Sequence, residues 1–100
     1  MEIQKRTRIK DKKMIAMMRK PHCERCRSRA YGEPHHIFTR GSGGGDIREN
    51  LIQLCIDCHI GAHDSRVGQR ELIDIVAQRE GKTSDEIVKI NRTAQGRDVE

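Results

Sequence analysis

Aromatic side chains are nearly absent from this sequence. Its 100 residues include one Phe, one Tyr and no Trp, and only 34% of them are hydrophobic, whereas 35% are charged. Burial of apolar surface is the main favourable term in folding, and a chain this short and polar buries only a small core. Small domains with such cores commonly depend on a disulfide or a bound metal. We therefore expect a metal ion to contribute to the stability of this fold.

Long hydrophobic runs are also missing. No run approaches the roughly 20 apolar residues that a membrane-spanning helix needs. The basic N-terminus is not followed by the apolar segment of a signal peptide. We expect a protein that does not bind membranes and stays in the cytoplasm, where thiols remain reduced and free to bind metal.

Acidic residues are scarce in the N-terminal third of the chain. Residues 1–29 contain eleven Lys or Arg and three acids, a balance of +8, whereas residues 30–100 contain nine and twelve, a balance of −3. A concentrated positive charge suits a polyanion such as nucleic acid, although a solvated, frayed tail would have the same composition. The predicted organisation is a basic flexible arm at residues 1–10 followed by a single domain at residues 11–100.

An N-terminal helix is predicted over residues 12–20. Asp11 is a candidate N-cap, because its carboxylate can accept a hydrogen bond from the first turn, and Pro21 ends the helix. The helix would direct four apolar side chains towards the core, namely Met14, Ile15, Met17 and Met18.

Three short elements are predicted between residues 30 and 64. Residues 30–40 favour an extended segment, residues 51–54 favour a strand, and residues 58–64 favour the start of a helix. The glycines at positions 41 and 43–45 predict a loop with little conformational restraint between the first two elements.

The last third of the chain favours helices. The apolar spacing predicts a helix over residues 69–80 that Gly81 ends. Thr83 and Glu86 have the spacing of a capping box, which would begin a last helix that runs to about residue 95. Such a pair also fits a helix-turn-helix, but its acidic side chains favour packing over DNA contact.

Four cysteines form two pairs of the same spacing. Two residues separate Cys23 from Cys26 and Cys55 from Cys58, and 28 residues lie between the pairs. Four thiolates suit tetrahedral zinc, since each short turn presents two sulfurs. Disulfides and unrelated buried thiols are the alternatives, but the paired spacing and a reducing compartment favour zinc. Four protein ligands leave no open coordination position, so we predict a structural role for this site.

Four of the five histidines lie between the cysteine pairs or just after them. His35 and His36 are adjacent, and an extended backbone would point them to opposite sides. His59 and His63 are four residues apart and would share one face of a helix. Neutral imidazole is a common ligand of divalent metals. This group therefore predicts a second metal site, with one member of the adjacent pair left to face a substrate.

The segment from residue 23 to residue 63 resembles the HNH endonucleases, also called ββα-metal nucleases. The flanks resemble those of small phage-type members of that family. The matching features, in chain order, are the first cysteine pair, Glu33 to Ile37, the Gly-rich loop, Glu49 to Leu51, Leu54, the second cysteine pair, His59 and His63.

The resemblance implies a role for the histidines and for one asparagine. His36 would be the general base that activates water. His35, His59 and His63 would hold a single catalytic ion. Asn50 would brace the loop that bears the base, because an amide can bond backbone groups on both sides of a loop without adding charge.

Two further residues have weaker assignments. Glu33 lies where some members place a carboxylate just outside the metal ligands, and an ordinary surface acid explains it equally well. Arg40 follows the histidine pair and is a candidate contact for the scissile phosphate, with a solvated side chain as its alternative.

As a whole, the resemblance implies an α+β protein with the ββα-metal fold. A treble-clef-like zinc ribbon, an N-terminal helix and a C-terminal helical pair (about residues 69–95) would surround a two-stranded hairpin, with the motif core at residues 23–63. The implied reaction is hydrolysis of DNA phosphodiesters. Zinc would be the structural cofactor, and Mg²⁺, Mn²⁺ or another divalent ion the catalytic one.

A non-catalytic zinc-ribbon module that binds nucleic acid is the alternative. The composition and the cysteines fit it equally well, whereas the complete set of histidines and the asparagine favours the enzyme. The sequence does not determine whether one strand is nicked or both strands are cleaved. It also leaves open a homodimer and a phage packaging, repair or recombination partner.

Overall fold

The structure, a computed structural model, describes residues 8–96 of the chain. This part is a small α+β protein with two antiparallel strands and four α-helices, as the sequence predicted. Residues 1–7 of the predicted basic arm lie outside the described residues. The elements are α1 (Lys12–Met17), β1 (His35–His36), β2 (Leu51–Ile52), α2 (Ile56–His63), α3 (Gln69–Glu80) and α4 (Ser84–Ala94).

The two strands form a very short hairpin. In its register, His35 pairs with Ile52 and His36 pairs with Leu51. The extended segment predicted over residues 30–40 therefore contains only two strand residues. Strand β1 ends early because the amide of Phe38 donates a hydrogen bond of 2.6 Å to the side chain of Asn50 and so does not continue the backbone pairing of the hairpin.

Helix α1 begins where the sequence predicted and ends three residues early. The Asp11 carboxylate accepts a hydrogen bond from the amide of Met14 at 3.0 Å, which confirms the N-cap. The helix ends at Met17. Beyond it, the amide of Lys20 donates to the side chain of Gln53 at 3.3 Å, so this part of the chain is held by tertiary contacts before Pro21 is reached.

Three of the four apolar side chains of the predicted N-terminal helix face the core. Ile15 and Met18 are buried against Leu51 of β2, and Met14 packs beside them. The prediction for Met17 was wrong, since its side chain is 68% exposed. Met17 lies on nearly the opposite side of the helix from Ile15.

The C-terminal helices match their predicted bounds closely. Helix α3 ends at Gly81, which adopts a left-handed φ of 69°. Thr83 and Glu86 form the predicted capping box at the start of α4. The two helices pack against each other and against the 3-10 turn Arg48–Asn50 that precedes β2. Within residues 8–96, no helix has both the length and the apolar character needed to cross a membrane.

The main core connects these helices to the cysteines. Cys23, Cys55 and Cys58 are buried in the same cluster as the apolar side chains of the hairpin and of α3 and α4. Crosslinking of the cysteines through a metal would therefore act directly on the core. The other buried members are Ile37, Ile52, Leu54, Val67, Leu72, Ile73, Val76, Ala77 and Ile87.

The Gly-rich loop between the strands is tightly held, and the prediction of little restraint was wrong. A Cβ atom on Gly44 would lie 1.7 Å from the carbonyl oxygen of Phe38, and one on Gly45 would lie 3.2 Å from the side chain of Ile9. Glycine is required at position 44 because backbone, which cannot move aside cheaply, occupies the space of a side chain.

Replacement of Gly44 by Ala should therefore destabilise the loop. We expect Gly44→Ala to lower the free energy of unfolding by about 1–3 kcal/mol or more, the usual cost of overpacking. Gly41→Ala is the matched control, since a Cβ there meets nothing within 4 Å. Urea unfolding of both variants measures the difference, and equal stability of the two would contradict the close approach.

Candidate metal centres

The four cysteines converge on one point. Their sulfur atoms all lie within 4.8 Å of one another, and the sulfurs of Cys26 and Cys55 are 3.5 Å apart. Sulfurs bound tetrahedrally to zinc by bonds of about 2.3 Å lie about 3.8 Å apart, whereas a disulfide bond measures about 2.05 Å. All four cysteines are free. The cluster therefore has the geometry of a metal site with four thiolate ligands.

Backbone and side-chain N–H groups support the sulfurs. The amides of Arg25 and Cys26 both donate to the sulfur of Cys23 at 3.4 Å, and the amide of Cys58 donates to that of Cys55 at the same distance. The guanidinium of Arg25 donates to the sulfur of Cys58, also at 3.4 Å. Such donors stabilise thiolates, because they offset the negative charge that four thiolates bring to a partly buried site.

The environments of the individual thiols differ. Hydrogen bonds from Ser28 lower the pKa of the Cys26 thiol to about 6. Burial raises the pKa of the Cys58 thiol to about 12. A divalent ion favours the thiolate at both positions, because metal binding displaces the proton.

Three histidines form a second cluster. His35 comes from β1, and His59 and His63 lie one turn apart on α2. One ring nitrogen from each lies within 4.8 Å of the others. The ring centroids are 5.2 Å apart for His35 and His59, 5.4 Å for His35 and His63, and 4.7 Å for His59 and His63. Three protein ligands leave positions open on a bound ion, which is the arrangement of catalytic metal sites.

The start of α2 explains why its two histidines reach this cluster. The helix begins at Ile56, two residues before the predicted start, because the sulfur of Cys55 accepts a hydrogen bond from the amide of Cys58 and caps it. The second cysteine pair thus starts the helix that carries His59 and His63. Residues 55–63 therefore contribute ligands to both clusters.

The histidine cluster is accessible, and the surroundings of two of its rings favour the neutral form. Burial, with a smaller contribution from the neighbouring histidines, lowers the pKa of His35 to about 4. Burial also lowers the pKa of His59. Neutral rings have the lone pairs that a metal needs. His63 is exposed, and a cavity of about 240 Å³ lies beside His35 and His63, so a substrate can approach this side.

His36 makes different contacts from its neighbour His35. Its side chain is only 9% exposed, and its Nε2 lies 2.7 Å from Oδ1 of Asp46. The sequence pattern did not indicate Asp46 as a site residue. Its one distinguishing feature in the sequence is that it is the only acid between Glu33 and Glu49.

Asn50 lies at the base of the Gly-rich loop and is fully buried. Its Oδ1 accepts a hydrogen bond from the amide of Phe38 at 2.6 Å. Its Nδ2 donates to the carbonyl oxygens of Phe38 at 2.9 Å and of Gly45 at 3.0 Å. Asn50 therefore joins the two sides of the loop that follows His36.

The two weaker candidates lie outside the histidine cluster. The Glu33 side chain is 58% exposed, and its carboxylate lies 3.6 Å from the guanidinium of Arg19. Arg40 is exposed in the 3-10 turn Arg40–Ser42 and has no acidic partner within residues 8–96. Neither residue is among the three that converge on the second centre.

The segment that contains both clusters is similar to known proteins. Residues 23–65, which contain both clusters, match the family model described as HNH endonuclease. The type IV methyl-directed restriction enzyme EcoKMcrA of Escherichia coli (strain K12) is 34% identical over 74 residues, covering 65% of this chain and 26% of that enzyme. This chain thus spans about a quarter of the length of that relative. No solved structure is significantly similar to this chain. These findings confirm the resemblance to the HNH endonuclease family for residues 23–65.

Proposed function

We propose that this chain is a metal-dependent endonuclease that hydrolyses phosphodiester bonds of DNA. The observation that carries the proposal is the convergence of His35, His59 and His63 on one accessible point. His36 follows His35 directly in β1. The name of the relative describes a restriction enzyme, which supports DNA as the substrate.

We assign a different ion to each centre. Zinc suits the four thiolates, and Mg²⁺, Mn²⁺ or another divalent ion suits the three imidazoles. A cation held by the histidines would stabilise the negative charge that develops on the phosphate and on the leaving oxygen.

Three further side chains have roles in the proposed reaction. His36 takes a proton from the attacking water. Asn50 keeps the loop after His36 in place through its three backbone hydrogen bonds. Arg40, exposed on that loop, contacts the phosphate. We expect 5′-phosphate and 3′-hydroxyl ends, the products implied by the family resemblance. One active site yields a nick, so cleavage of both strands would need a homodimer or two encounters.

Supercoiled plasmid tests the proposal directly. The zinc-loaded protein is incubated with plasmid and Mg²⁺, Mn²⁺, Ni²⁺ or Zn²⁺ in turn, beside a His36→Ala control. We expect relaxed circles with at least one ion for the unmodified chain, and far fewer for the variant. Binding of DNA without cleavage of any DNA form under any ion would favour the zinc-ribbon binding module instead.

We further propose that the basic N-terminal region binds the DNA backbone. Lys10, Lys12 and Lys13 are exposed, and none of them has an acidic partner within the described part of the chain. Such side chains can neutralise phosphates and release counterions, which makes affinity depend steeply on salt.

Replacement of these three lysines by Ala should weaken DNA binding and flatten its salt dependence. Each lost phosphate contact reduces the slope of log K against log salt by about 0.9, so the slope should fall by up to roughly 2.7. The matched control removes three exposed cations from the C-terminal helical region, in Lys82→Ala, Lys89→Ala and Arg92→Ala. Fluorescence anisotropy at several salt concentrations measures both. Equal slopes for the two triple variants would show that the N-terminal lysines are only solvated.

A further inference from the structure

We propose that Asp46 is a positioning residue that fixes the ring orientation and the tautomer of His36. The inference rests on the proposed function only in so far as His36 acts as the base. The carboxylate holds Nε2 of the ring, so that Nδ1 is the nitrogen left to take a proton.

The contact itself is short and buried. Nε2 of His36 and Oδ1 of Asp46 are 2.7 Å apart, and the two side chains are 9% and 3% exposed. Little water competes for this hydrogen bond, which strengthens it relative to a surface contact. A ring held in this way has one orientation.

Asp46 is held as a carboxylate by three donors. Burial by itself raises the pKa of Asp46. Hydrogen bonds from Arg8, from the amide of Asp11 and from His36 lower the pKa by more than burial raises it, so the pKa of Asp46 is below its usual range. The guanidinium of Arg8 donates to Oδ1 at 2.7 Å, and the amide of Asp11 donates to Oδ2 at 2.8 Å.

The charge state of Asp46 determines the tautomer of His36. An ionised carboxylate can only accept hydrogen bonds, so Nε2 must carry a hydrogen and donate it. Neutral His36 then has its lone pair on Nδ1. A carboxylate that orients a catalytic imidazole in this manner is a known device of hydrolytic enzymes on unrelated folds.

A purely structural role for Asp46 is the competing explanation. Asp46 also fastens the start of the described chain to the Gly-rich loop, since its amide donates to the carbonyl oxygen of Ile9 at 2.8 Å and its carboxylate accepts from Arg8 and Asp11. The experiment must therefore separate an effect through His36 from a general loss of structure.

A double-mutant cycle on plasmid nicking makes this separation. With the divalent ion that supports cleavage, Asp46→Ala should lower kcat by about ten- to hundredfold, the usual effect of removing a group that orients a site histidine. The plasmid concentration at half-maximal rate should change by less than about threefold, because no phosphate-binding cation is lost. In the His36→Ala background, Asp46→Ala should change the residual rate by less than about twofold. Equal fold-losses in both backgrounds would overturn the proposal.

A second measurement does not depend on cleavage or on the stability of a variant. Long-range ¹H–¹⁵N NMR of the unmodified zinc-loaded protein at neutral pH reports which ring nitrogen of His36 carries the proton. We expect the proton on Nε2, and a proton on Nδ1 would overturn the proposal. If no ion supports cleavage, the nuclease proposal fails, and this spectrum still decides the relation of Asp46 to His36.

Discussion

Removal of the metal from the four-cysteine centre should unfold most of the domain. Zinc contributes about 10–16 kcal/mol to the folding of zinc-finger peptides at pH 7, whereas the whole stability of a small domain is about 5–15 kcal/mol. Three of the four cysteines lie inside the main core of this protein. Far-UV circular dichroism after treatment with a strong chelator should therefore show loss of most of the helical signal, and re-addition of zinc should restore it.

Two adjacent residues provide the controls for this prediction. Cys58→Ser should lose bound zinc and the fold together, because one thiolate of the cluster is gone. His59→Ala should keep zinc and the fold, because His59 belongs to the other centre. Elemental analysis measures the zinc content of both variants. Absence of tightly held zinc in the unmodified protein, or an unchanged spectrum after chelation, would contradict the structural role.

Replacement of His36 by Ala should slow cleavage strongly while leaving both metal centres intact. Loss of a general base lowers rates by roughly a hundredfold or more. His36 is not one of the three histidines that converge on the second centre, so affinity for Mn²⁺ should be unchanged. DNA affinity should also stay within about twofold, since no cation that binds phosphate is removed.

His59→Ala should fail for a different reason. Its loss removes one of three imidazole ligands, so cleavage and ion affinity should fall together. Plasmid nicking, isothermal titration with Mn²⁺ and anisotropy with labelled duplex separate the two variants. Cleavage by His36→Ala at the rate of the unmodified chain would show that His36 is not the base.

The features that the sequence predicted well are encoded locally. Gly81, Thr83 and Glu86 act within one turn of a helix end, so the bounds of α3 and α4 followed from their spacing. Each cysteine pair lies within a single turn, and His59 and His63 lie one turn apart on one helix. The convergence of these pairs in space depends on the fold, and it was predicted only through the family resemblance.

The features that the sequence did not predict depend on tertiary contacts. The loop after His36 is shaped by the close approach of Gly44 to the carbonyl oxygen of Phe38 and by the side chain of Asn50. That shape brings Asp46 to His36 across ten residues of chain. Hydrophobic periodicity does not predict such a contact, because helix or strand propensity and residue spacing describe only neighbours along one element. The early end of α1 has the same kind of cause, since Gln53 binds the chain beyond it.

One titration tests the central claim, that an ion on His35, His59 and His63 supports hydrolysis of DNA. Zinc-loaded protein free of other ions receives increasing Mn²⁺, and the rate of plasmid nicking is compared with direct ion binding measured under the same conditions. We expect no cleavage before addition and a rate that saturates at the same midpoint as ion binding, with both curves lost in His59→Ala. Cleavage that does not depend on the added ion, or full ion binding without any cleavage, would contradict it.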